Sequence, residues 1–187
     1  EGADDDDGSR PGERGEAQHI GDSPQAERAA DGAADTQVEA EAVAHNIEGT
    51  ELANMTDQEW QDASPERKQE LVQEVSDATA DGLGISPCEV RMFEPANPMD
   101  CGQYSRESNT LEVSSNLTRD EAINTVVHET RHAYQSHKVE SGDHPMSKDW
   151  ESNFNEYAPA DDNYAAYVNQ PLEADAWDFE SRVRGQL

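Results

Sequence analysis

Apolar side chains are scarce in this sequence. They make up 33% of its 187 residues, against roughly 45–50%, glycine included, in an ordinary compact domain. Part of the chain is therefore expected not to fold, and the core to belong to a sub-segment. No run of about 18 apolar residues occurs, so no membrane-spanning helix is expected. Cysteine is limited to Cys88 and Cys101, without a CxxC pair, which excludes a thiolate zinc site. The two thiols could bridge in an oxidising compartment or stand free and buried. Basic residues are also few, 13 Lys and Arg against 42 Asp and Glu, for a net charge of -29. Such a surface repels nucleic acid and anionic membranes, and neither is expected as a partner. Lysine is confined to Lys68, Lys138 and Lys148. This balance suits either a high-salt habitat or a soluble secreted protein.

What is present divides the chain in two. Residues 1 to about 50 read as a disordered acidic arm, because they offer too little apolar surface to offset the entropy of ordering. The Asp4–Asp7 run lacks the alternating ligands and glycine of a calcium loop and reads as a solvated tail. A weak helical pattern begins near Val38 and continues through Ala42, Val43 and Ile47. The expected division is an acidic linker over 1–54 and a folded domain over 55–187.

Within that domain Ser64-Pro65-Glu66 has the form of a helix start. Leu71, Val72, Val75, Ala78 and Thr79 follow at helical spacing, with Gly82 and Gly84 at the end. Three short extended runs come next, at 88–93, 102–105 and 110–114, the last two joined by a hairpin turn. Thr118-Arg119-Asp120-Glu121 forms a capping box that opens a helix reaching about Ser136 or Lys138. A polar stretch from Val139 to about Asn169 precedes a final helix from Pro171. The expected class is α+β: an N-terminal helix, a small three-stranded sheet, a motif-bearing helix and a C-terminal helix.

The motif is His128-Glu129-Thr130-Arg131-His132, which fits H-E-x-x-H. One helical turn puts both imidazoles on one face, within reach of one metal ion. Glu129 lies about 100° around the helix, where it can flank a water and act as general base. Two His, a carboxylate base and an open coordination position suit zinc-assisted hydrolysis. The extended form with glycine and a third histidine fails, since Gln135 and Lys138 occupy those places. His137 lies about 140° from His132 and is a poor ligand. His144, in a loop, is a minor candidate. Glu173, in the first turn of the last helix, is the better third ligand, with Asp175 as runner-up. Tyr157, Tyr164, Tyr167 and His144 are candidate oxyanion donors. Thr125 and Gln135 are candidates for orienting a ligand imidazole. Trp177 is expected in the core.

The segments Thr125–Gln135 and Gln170–Trp177 resemble the zincin-like metallopeptidase domains found at the C-termini of bacterial polymorphic toxins. They are also similar to the minimal gluzincin-like peptidases of the ImmA/IrrE type. The resemblance covers about Pro87 to Phe179. It implies a minimal zincin fold, Zn2+ held by His128, His132 and Glu173, and Glu129 as base. It further implies a secreted or delivered, toxin-like peptidase, acting on a protein or peptide and countered by an immunity or inhibitor protein. A monomer is expected. The alternative is a catalytically inactive zincin-like binding or structural module. The long polar insert between the motif and Glu173 departs from the family pattern and leaves the substrate groove open.

Overall fold

A computed structural model describes residues 24–160 and 162–187, with the side chains of the first helix described from residue 35 onward. The Asp4–Asp7 run lies outside them. The elements run α1 (Pro24–Glu48), α2 (Glu51–Asn54), α3 (Asp57–Asp62), α4 (Pro65–Leu83), β1 (Glu89–Phe93), β2 (Gly102–Ser105), β3 (Thr110–Ser114), α5 (Arg119–Ser141), α6 (Ser147–Asn155), α7 (Tyr164–Asn169) and α8 (Pro171–Arg184). The class is α+β, as the residue pattern indicates.

The sheet order is β1-β3-β2. β3 pairs parallel with β1 and antiparallel with β2, so the expected hairpin forms the second pairing. β3 is central, and its Leu111 and Val113 are fully buried. The outer edge of β1 is closed by side chains of α4. Gln73 accepts from the Val90 amide at 2.8 Å and donates to the Cys88 carbonyl at 2.8 Å. Gln69 accepts from the Met92 amide at 2.9 Å and donates to the Val90 carbonyl. Backbone groups that a neighbouring strand would satisfy are thus paired within the chain.

The expected start of order near residue 55 is too late. Residues 35–54 belong to the folded domain. On α1, Thr36, Ala40, Val43, Ala44 and Ile47 recur at helical spacing and are buried, in contact with α4 and α8. Gly82 makes the approach possible: a Cβ there would stand 2.6 Å from Val43 Cγ2 and 2.9 Å from its backbone. Gly82 is therefore a packing position inside α4, and Gly84 (φ +66) ends the helix. Burying Val43 and Ile47 contributes roughly 1.5–3 kcal/mol each, and Leu52 of α2 is fully buried as well.

The polar stretch after α5 is not extended loop. It holds α6, anchored by fully buried Trp150, and α7, which has no buried residue. Asn153 of α6 donates to Gln170 Oε1 at 2.8 Å and accepts from the Leu172 amide at 2.9 Å. Gln170 in turn accepts from the Ala158 amide and donates to its carbonyl, at 3.0 and 2.9 Å. These bonds tie the segment carrying Tyr157 to the start of α8. Cys88 is buried and Cys101 exposed, and both are free thiols. Burial pushes the Cys88 thiol up to about 11.

Candidate metal centre

Two helices converge on the centre. α5 begins at Thr118, whose side chain and Glu121 form the expected capping box, and it runs unbroken through the motif to Ser141. α8 begins with Pro171 at its first position, which places Glu173 in its first turn. His128 Nε2 lies 3.2 Å from Glu173 Oε2, and His132 Nε2 lies 3.3 Å from Glu173 Oε1. Ligand atoms of the three residues all lie within 4.8 Å of one another, and all three residues are buried. A tetrahedral ion bound at about 2.0–2.1 Å sets its ligands about 3.3 Å apart. Each imidazole thus lies about one such edge from a Glu173 oxygen, and the group as a whole is compact enough to hold one metal ion.

The charge balance points the same way. Glu129, Glu173 and Glu180 are buried around His128 and His132. Burial alone would push His128 down, but the carboxylates of Glu173 and Glu180 outweigh it and hold the imidazole up to about 10. Burial likewise pushes Glu173 up, but His128, His132 and Tyr157 hold it well below the usual carboxylate range. In the metal-free chain, a proton on His128 therefore supplies positive charge beside these carboxylates. A divalent cation can replace it. Glu129 behaves differently: burial raises it, and the two imidazoles only partly offset this.

Glu129 and His132 open onto a cleft of about 310 Å³, lined also by Gly102, Tyr104, Arg106, Tyr157 and Tyr167. At its rim, β2 presses onto α5. A Cβ at Gly102 would meet Thr125 Cγ2 at 2.6 Å and Glu129 Cγ at 3.3 Å. Thr125 therefore packs against β2 and does not orient an imidazole.

Of the other expected residues, the structure brings three to the centre. Gln135 Oε1 stands 2.8 Å from His132 Nδ1. The Tyr157 hydroxyl donates to Glu173 Oε1 at 2.6 Å. Tyr167 lines the cleft, its ring 6.3 Å from that of Tyr157. Burial and the nearby Glu173 push both phenols well above their ordinary value, so they remain donors.

Others fall elsewhere. His144 stacks on Trp150 at 4.4 Å, held by the turn that enters α6. Tyr164 is 67% exposed, because α7 turns it outward. His137 is exposed on α5. Asp175 is not a ligand but pairs with Arg131 and Gln135. Trp177 is half-exposed rather than in the core, with its ring 4.5 Å from that of His128.

Three residues of the site went unread in the sequence. Glu180 Oε2 stands 3.6 Å from His128 Nδ1, too long for a hydrogen bond but close enough to act as a counter-charge. Its signal was available: it lies seven residues past Glu173, on the same helical stripe. Arg131 and Glu39 form an ion pair behind the motif, and no periodicity marks a charged pair as buried.

The chain matches no family model, no curated protein and no solved structure. The class defined by fold and site is an α+β protein with a buried His128–His132–Glu173 group able to hold a metal ion.

Proposed function

We propose that this chain is a zinc-dependent peptidase of the zincin type. The observation that carries the reading is the convergence of two imidazoles from one helical turn and a carboxylate from a second helix, with Glu129 beside them on the same cleft. A zinc ion held by His128, His132 and Glu173 would supply Lewis acidity toward a water and a carbonyl. Glu129, buried and raised above an ordinary carboxylate, is suited to take a proton from that water and pass it to the leaving amine. The nearby Tyr104 backbone opposes that rise only slightly. Tyr157 steadies Glu173, while Tyr167 offers the cleft a protonated hydroxyl for a developing oxyanion.

A peptide is the substrate class that the cleft suits. β2 is the terminal strand on that side of the sheet and lines the cleft. A terminal strand offers backbone groups to which an extended peptide can add. The toxin-like setting, with delivery to a target cell and a dedicated inhibitor protein, is proposed on the resemblance alone.

The test compares wild type with Glu129→Gln on a peptide library, both loaded with zinc. Cleavage is expected to fall about 10²–10⁴-fold while zinc is retained. Zinc-loaded wild type that cleaves nothing, or a variant that cleaves equally well, overturns the reading.

A further inference from the structure

Arg131, one of the two unspecified positions of the motif, is fully buried. Its Nε and Nη2 donate to Asp175 of α8 at 2.8 and 3.0 Å, and its Nη1 donates to Glu39 of α1 at 2.6 Å. The guanidinium lies over the rings of Tyr134 and Phe179, 4.3 and 4.6 Å from their centroids. The other oxygen of Glu39 accepts from the Tyr134 hydroxyl. Every nitrogen of this cation therefore has a carboxylate partner, and its direction is fixed from two helices.

The same Asp175 reaches the metal centre through Gln135. Gln135 Nε2 donates to Asp175 Oδ2 at 2.7 Å and to the Leu172 carbonyl at 2.9 Å. A backbone carbonyl can only accept, so this amide cannot turn over without losing both bonds. Its Oε1 must then face His132 Nδ1, where it stands at 2.8 Å. That contact requires the proton on Nδ1 and leaves Nε2 as the ligating nitrogen. Burying an ion pair is a weak source of net stability, because desolvation offsets the attraction. What this pairing supplies is orientation.

We propose that Glu39, Arg131, Asp175 and Gln135 form a chain of positioning residues that holds His132 in its ligating tautomer, so that α1 helps set the affinity of a metal centre built on α5 and α8. The proposal rests on the metal-binding part of the reading above. It makes a helix from the acid-rich arm a working part of the site.

The test measures zinc affinity of the whole chain by competition with a chelating dye, beside the melting temperature of the metal-free protein. The variants are Gln135→Met, Asp175→Asn, their double combination, and Glu39→Gln. Each of the first two is expected to weaken zinc about 10–100-fold. The double variant should bind no more weakly than Gln135→Met alone, because Asp175 acts through Gln135. Glu39→Gln, the mildest change and the one that decides the role of α1, should weaken zinc roughly threefold or more. Independent structural damage would instead add in the double variant and follow the melting temperature. Wild-type affinity in Gln135→Met or in Glu39→Gln, or additive losses in the double variant, overturns the proposal. If Asp175→Asn fails to fold, Gln135→Met and Glu39→Gln still decide it. Wild type that binds no zinc sinks both this proposal and the metal reading. Wild type that binds zinc but cleaves nothing sinks only the hydrolase reading, and the affinity series stands.

Discussion

The two sides of α5 at the motif are built to opposite rules. On one side, His128, Glu129 and His132 face Glu173 and the cleft, and polar capacity is left over: His128 Nδ1 is buried without a hydrogen-bond partner. On the other, Arg131 and Gln135 face α1 and α8, and every side-chain nitrogen is committed. The first side holds negative charge that a proton or a bound cation can balance; the second balances its charge within the chain. A site that must take up an ion and a substrate needs both: groups left available, and a saturated framework that keeps them in place.

Arg131→Met tests the saturated side. It leaves Asp175 and Glu39 without their cation, in positions only about one-fifth exposed. The expected cost is roughly 3 kcal/mol, read by denaturant unfolding of the metal-free chain. A loss well under 1 kcal/mol would show that the two sides do not differ in this way. Tyr157→Phe tests the open side. It removes a hydroxyl donated to a carboxylate at 2.6 Å, a bond worth roughly 1.5–3 kcal/mol when one partner is charged. Because Tyr157 is partly exposed, the lower end is expected, measured as weaker zinc binding with the fold intact. The smallest effect is expected at Arg91, whose pair with Glu89 is more than half exposed on both sides. Arg91→Ala should leave unfolding unchanged within error, since solvent screens such pairs. A clear change there would remove the contrast between exposed and buried arginines.

How much of this was legible in the sequence depends on what sets each feature. α5 was readable because local chemistry sets it: the Thr118–Glu121 capping box marks its start, and the i, i+4 spacing fixes the shared face of His128 and His132. The three strands were readable from alternation and turns. That β1 runs parallel to β3 was not, because strand order depends on which helix covers the sheet. α1 was legible only as a weak helical pattern from Val38, and its place in the folded domain was not, because its buried face is mostly alanine and threonine, with Val43 and Ile47 its larger apolar residues. Such a stripe looks like a polar arm until Gly82 is seen to admit it. Glu173 was inferred from the need for a third ligand. The directions of His144 and Tyr164 follow from packing in α6 and α7, which no local periodicity encodes.

The central claim is that His128, His132 and Glu173 together hold one divalent ion. Elemental analysis of the chain purified without added metal tests it most directly, with circular dichroism to verify folding. The prediction is about one zinc per chain in wild type and in Glu129→Gln, and none in His132→Ala or Glu173→Ala. Folded wild-type protein lacking a stoichiometric divalent ion, or a Glu173→Ala protein that keeps it, would contradict the claim.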